Sequence, residues 1–249
     1  MADKKSFWTS LPGILTEIAT IITALTGLFI ALNSGSNNET PDNINETSTS
    51  EVSGTELKPT EWPLIEEETF SQEPANWSLG NYPHQDTPRF NLRVVDGVYR
   101  WDIEYSKDSQ RGVNAPAGSA VDFYLGVDSK MTVFTPETGS YLSFNIAGNT
   151  YYTFDISSNK YYRLYRHGGS EENAIIDWTP VNIEFNPYDW NRLSVVCDDQ
   201  RIKLFLNAAL LAEYRDSNPS GGKVGFGVTM WQKGAAVIDF DNFQFRRKP

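Results

Sequence analysis

Residues 151–169, YYTFDISSNKYYRLYRHGG, set Tyr151, Tyr152, Tyr161, Tyr162 and Tyr165 beside Arg163 and Arg166, in two short runs joined by a turn. Successive side chains of a strand point to opposite faces. Tyr152, Phe154, Ile156, Tyr162 and Leu164 then point into a core, while Tyr151, Thr153, Asp155, Tyr161, Arg163 and Tyr165 point out. The face of a sugar ring packs on an aromatic ring while its hydroxyls take fixed hydrogen bonds, so Tyr151, Tyr161, Tyr165 and Arg163 form a candidate carbohydrate platform. Tyr124, beside Asp122 on another run, is a candidate extension of it. The competing reading is a ladder of tyrosine and arginine that only stabilises an antiparallel sheet.

Other chemistry is thinly represented. Two outward carboxylate pairs, Asp102 with Glu104 and Asp239 with Asp241, are the candidates for acid and base work, but such pairs on a strand also make an ordinary solvated surface. His84 and His167 are the only histidines and leave little for a metal site or a nucleophilic triad, and His167 before Gly168 reads as a turn residue. Cys197 is the only cysteine, which excludes an internal disulfide; its place in LSVVCDD makes it a small buried hydrophobe. The chain has no phosphate loop and no nucleophile elbow. Its formal net charge of −11, with no basic stripe, argues against nucleic acid as a partner.

From Trp62 onward, short runs of β-branched and aromatic residues alternate with Gly, Pro, Asn and Asp, with no sustained helical period. The predicted strands are 98–105, 120–128, 140–147, 150–156, 161–166, 191–198, 201–207, 210–214, 223–230 and 237–245. Many short strands at even spacing predict an all-β antiparallel sandwich over residues 61–249. Its inner faces carry Val121, Phe123, Leu125 and Val127; Leu142, Phe144 and Ile146; Leu193, Val195 and Cys197; and Ile202, Leu204 and Leu206. Phe240 and Phe243, three apart, imply a break in alternation at Asp241.

The first third reads differently. Residues 14–32 are apolar and of the length that spans a bilayer, with Glu17 in the first turn. Lys4 and Lys5 precede them and no base follows until Lys58, so residues 1–13 are expected in the cytoplasm and the rest outside. A cleaved signal and an amphipathic helix are the alternatives to this single-pass anchor. Ala19, Thr23, Gly27 and Ala31 form a small-residue stripe that fits weak helix-mediated homo-oligomers. Residues 33–60, rich in Asn, Ser, Thr and Glu, read as a disordered stalk. Asn38, Asn45 and Asn76 open Asn-x-Ser/Thr acceptor motifs.

The order YYTFDI, YYRLYR, WNRLSVVCDDQRIKLFLN, GGKVGFGV, VIDFDNFQF resembles the closing strands of concanavalin A-like jelly-roll domains, above all the 3-keto-disaccharide hydrolase-like and laminin-G-like domains of bacterial surface proteins. The resemblance covers about residues 90–246 and rests on order and spacing. It implies a glycan or polysaccharide as partner, and it places Asp241 where related domains use an aspartate for a structural calcium. The usual Asn-Gly turn is here Asn207-Ala208, and the E-x-D-x-x-E pattern of jelly-roll glucanases is absent. The expectation is a membrane-anchored, extracytoplasmic sandwich that binds carbohydrate, or mediates adhesion, at the cell envelope without catalysis. A glycoside hydrolase of the 3-keto-disaccharide type and a protein-binding scaffold are the alternatives.

Overall fold

The computed structural model describes residues 58–82, 89–105, 109–116, 118–168, 173–217 and 220–249, which lie in one compact unit. After a single 3-10 turn, Pro59–Glu61, come β1 (Leu64–Glu68), β2 (Gly80–Tyr82), β3 (Arg89–Val95), β4 (Val98–Tyr105) and β5 (Ser109–Asn114). Next are β6 (Phe123–Val133), β7 (Thr138–Ala147), β8 (Thr150–Ser157), β9 (Tyr161–His167) and β10 (Asn173–Pro180). The last are β11 (Asn191–Asp198), β12 (Arg201–Leu206), β13 (Ala209–Arg215), β14 (Lys223–Met230) and β15 (Gly234–Arg247).

They form two antiparallel sheets. One has nine strands in the order β13-β12-β11-β6-β15-β4-β3-β2, with β1 also paired to β15; the other has six, β10-β9-β8-β7-β14-β5. The expected all-β sandwich is therefore present. Alternation explains the core between the sheets: Phe123, Leu125 and Val127 of β6 face Leu142 and Phe144 of β7, all fully buried. At its centre Phe226 lies within 4.7–6.5 Å of the rings of Phe70, Trp77, Tyr99, Trp101, Phe240 and Phe243. Each such side chain stabilises the fold by about 1.5–3 kcal/mol through burial alone.

Hairpin turns set the register. Asp96-Gly97, Asp199-Gln200 and Asn207-Ala208 each close a two-residue loop with both φ angles positive. That is the type I′ geometry whose twist matches antiparallel strands. Asn207-Ala208 thus makes the same turn as Asn-Gly, with Ala208 in the left-handed region at φ 65°. The long β15 pairs with β4 up to Phe240 and with β1 from Phe243, and a bulge at Asp241-Asn242 between them keeps both phenylalanines in the core.

Two inner-face expectations need correction. β6 begins at Phe123, so Val121 precedes the strand and stays 46% exposed. Ile146 follows a bulge at Asn145, where φ is 52°, and is only half-buried. The membrane segment expected at 14–32 and the stalk up to residue 57 lie outside the described residues, among which no helix is long and apolar enough to cross a membrane.

Candidate functional site

In β8 and β9 the alternation holds. Tyr152, Phe154, Ile156, Tyr162 and Leu164 are buried in the core; the Tyr152 hydroxyl donates to Asp216 at 3.0 Å and that of Tyr162 to the Leu211 carbonyl at 3.1 Å. On the opposite face, register places Arg163 across from Asp155 and Tyr165 across from Thr153. Outward does not mean exposed here: Asp155 and Thr153 are both 0% exposed.

A carboxylate so buried needs donors, and Asp155 has three. Thr153 Oγ1 donates to it at 2.8 Å, Arg163 Nε at 3.2 Å and Thr229 Oγ1 at 3.3 Å. Thr229 lies on β14, with β7 between it and β8, and reaches across because its partner there is Gly139. The same glycine makes room for Trp231, whose ring would lie 3.2 Å from a Cβ at that position.

Above Asp155 the Arg163 guanidinium sits among three rings, 4.7 Å from the centre of Trp178, 4.8 Å from Tyr165 and 5.4 Å from Trp231. Trp178 meets Trp231 edge to face at 5.0 Å. Tyr165 packs on His167 at 4.8 Å, and His167 stacks flat on Tyr151 at 4.4 Å while its Nε2 hydrogen-bonds Thr153 Oγ1 at 3.1 Å. The result is a band of rings across the outer face, from Tyr151 through His167, Tyr165 and Arg163 to Trp178 and Trp231. Cation–π contact and the Asp155 bond fix the guanidinium in place, and 16% of the Arg163 side chain still meets solvent.

Of the candidate residues, Tyr151, Arg163 and Tyr165 are brought together, and Tyr161 lies in the same outward row at 39% exposure. Tyr124 is elsewhere. It belongs to β6 of the nine-stranded sheet and is 6% exposed under Trp62, Val196 and Phe205, its hydroxyl 3.3 Å from Arg192. Alternation assigns a face within a strand but not the sheet to which the strand belongs. Trp178, Trp231 and His167 are additional members. Trp178 lies in an irregular stretch of β10 and Trp231 in the loop after β14, so only the folded register gathers them.

Asp241, the candidate calcium ligand, also lies on the nine-stranded sheet, across from Asp128. Its Oδ1 accepts the Asn242 backbone N–H at 2.7 Å. The facing Asp128 is engaged by Arg192 at 3.2 Å and by Asn242 Nδ2 at 2.9 Å. Burial pushes the Asp241 carboxyl above the usual aspartate value, and Asp128 adds to the effect. Among the described residues a closer acidic group is Asp122, Asp198 and Asp199, and there the Lys248 ammonium sits 2.5 Å from Asp198 and 3.3 Å from Asp199.

In each carboxylate pair one member is held by an arginine. Asp239 takes a two-pronged bond from Arg100 at 2.7 and 2.8 Å, and Asp102 pairs with Arg93. Cys197 is buried, and burial raises its thiol pKa well above the ordinary value. Asn76 is exposed in a turn beside the buried Trp77.

No protein-family model matches the chain, and no curated protein matches it. Solved structures do resemble it. A Bacillus subtilis protein of unknown function with a galectin-like fold is similar at a TM-score of 0.55 and 11% identity, over 74% of this chain and 96% of that one. The laminarinase catalytic domain of Thermotoga maritima MSB8 is similar at 0.55 and 9%, over 74% and 98%. An endo-1,3-beta-glucanase (laminarinase) catalytic domain from Thermotoga petrophila RKU-1 gives 0.53 and 9%, over 74% and 97%. At such identities the likeness is one of fold, and that fold is the concanavalin A-like jelly roll.

Proposed function

We propose that the outer face of the six-stranded sheet binds a glycan without turning it over. The observation that carries this reading is the set of Tyr165, Trp178 and Trp231 rings held around Arg163 over the buried Asp155. Flat rings offer stacking surfaces to a pyranose, and a fixed guanidinium offers donors to its oxygens. Tyr151 and Tyr161 extend the platform along the same row. The galectin-like and laminarinase neighbours support a saccharide as the ligand of this face. Hydrolysis needs two carboxylates across the sugar, and both oxygens of Asp155 are already hydrogen-bonded, which favours binding over catalysis.

The domain works at the cell envelope. Residues 14–32 cross the membrane once, Lys4 and Lys5 stay in the cytoplasm, and residues 33–60 hold the sandwich away from the bilayer; the apolar run and its one-sided basic flank support this topology. The test is a glycan array probed with the full chain in a sugar-free detergent. Trp178→Ala and Trp231→Ala should each weaken the retained glycan about tenfold, as for central aromatic contacts. An array without a retained glycan, or affinities indifferent to both changes, overturns the reading; release of reducing sugar would instead establish a hydrolase.

A further inference from the structure

Beyond β10, residues 181–190 form a loop whose construction exceeds what a connection needs. Phe185 anchors it in the core at 5% exposure. Asn186 Nδ2 donates to Asp189 at 2.8 Å and Asn186 Oδ1 accepts from Tyr188 N at 3.2 Å. Asn191 Nδ2 donates to the carbonyls of Asn186 at 2.8 Å and Asp189 at 2.7 Å, and Met131 N donates to that of Pro187 at 2.8 Å. Among the side chains this framework displays are two large aromatics: Tyr188 is 57% and Trp190 44% exposed. Tyr188 packs on Phe134 at 4.8 Å, next to Val133 at 49% exposure. Aromatics held outward by a rigid loop have already lost the entropy that a ligand would otherwise have to remove.

This patch and the sheet-face band share one support. Phe134 adjoins Thr135, which hydrogen-bonds Thr138, and Thr135 packs against Gly234, which opens β15 just after the loop that carries Trp231. Trp231 in turn lies over Gly139, the residue after Thr138. From this continuity we infer that the site is a path for a saccharide chain of several residues, running from the Arg163 rings over the β6–β7 turn to Tyr188 and Trp190. The inference rests on the sheet face being a glycan site and adds that the ligand is a polymer rather than a terminal sugar. Tyr and Trp suit such a ligand because each joins a flat apolar surface to a polar edge.

The test measures affinity of the full chain, in sugar-free detergent, for the disaccharides and octasaccharides of laminarin, cellulose, chitin and polygalacturonate. For the series that binds, the octasaccharide should bind at least tenfold more tightly than the disaccharide. Tyr188→Ala should weaken the octasaccharide roughly three- to tenfold, as loss of one stacking ring implies, and leave the disaccharide unchanged. Trp178→Ala should weaken both. Tyr188 is exposed, so an unchanged melting temperature confirms that the variant is folded. Equal affinity for short and long oligomers, with Trp178 still required, overturns the path and leaves the sheet-face site standing. Self-association that depends on Tyr188 without chain-length dependence makes the occupant a second copy and overturns the path too. Absence of binding to every series overturns both.

Discussion

Both sheets turn one face away from the core, and the ion pairs on the two faces are set differently. On the nine-stranded sheet, the pairs Arg93–Asp102, Arg192–Asp128 and Arg201–Glu213 are 22–60% exposed, as expected of a solvated surface, and Asp239 under Arg100 is the covered exception. On the six-stranded sheet, Ser143, Thr153, Asp155, Ser157 and Thr229 are at most 6% exposed although they too point outward. Glycine is the reason. Gly112 and Gly227 leave room for the Tyr141 ring, and Gly139 for Trp231, so large rings lie flat over the backbone and cover the small polar residues beside them. That face has gained a third, thin layer made only of side chains, and a group such as Asp155 becomes interior without entering the core.

Removing the buried member of an ion pair gives the largest contrast. Asp155→Ala leaves the Arg163 guanidinium without its carboxylate and should cost about 3–5 kcal/mol, whereas Asp102→Ala on the other face should cost about 1 kcal/mol or less. Urea denaturation of both variants measures this, and similar costs would erase the distinction between the faces. A smaller contrast comes from glycines. A Cβ at Gly227 would run into the Arg111 carbonyl and come 2.5 Å from the Tyr141 ring, whereas one at Gly126 meets only side-chain ends, Arg192 at 2.6 Å and Tyr124 at 2.7 Å. Gly227→Ala should therefore lose about 1–3 kcal/mol and Gly126→Ala about 1 kcal/mol or less.

The smallest effect sharpens the picture of the nine-stranded face. A carboxyl raised by burial binds its proton more tightly folded than unfolded, so its ionisation weakens the fold as pH rises through the folded value. Asp241→Asn should accordingly raise the melting temperature slightly near neutral pH and leave it unchanged at roughly pH 3, below the ordinary aspartate value. A loss at neutral pH would mean that Asp241 serves an attractive contact instead.

Strands with a polar and an apolar edge were legible. β4, β11 and β14 start and stop where the alternation of 98–105, 191–198 and 223–230 says they should. β5, SQRGVN, carries too few apolar residues to announce itself, and β10 loses its alternation where its register slips between Ile176 and Thr179. β3 does alternate through Phe90 and Leu92, but Arg89 and Arg93 flank those two apolar residues. At the site, Tyr151, Arg163 and Tyr165 follow from two neighbouring strands, which sequence order itself pairs. Trp178 and Trp231 do not, because their approach depends on which strands neighbour which and on a missing side chain at Gly139. Tyr124 misleads for the same reason, since its outward position in β6 belongs to the other sheet.

The chain enters the sandwich through β1, which lies antiparallel along β15, with Arg247 N bonded to the Pro63 carbonyl and Trp62 packed under Tyr124. This seam has a mechanical meaning. A tension applied at Lys58 along the axis of β1 loads its hydrogen bonds to β15 in shear, so they resist together instead of parting one by one as in a zipper. Lys248, gripped by Asp198 and Asp199 just beyond β15, keeps the partner strand from sliding with it. A sandwich tethered from this end and holding a polymer on its far sheet would transmit a pull through hydrogen bonds that are loaded together in shear.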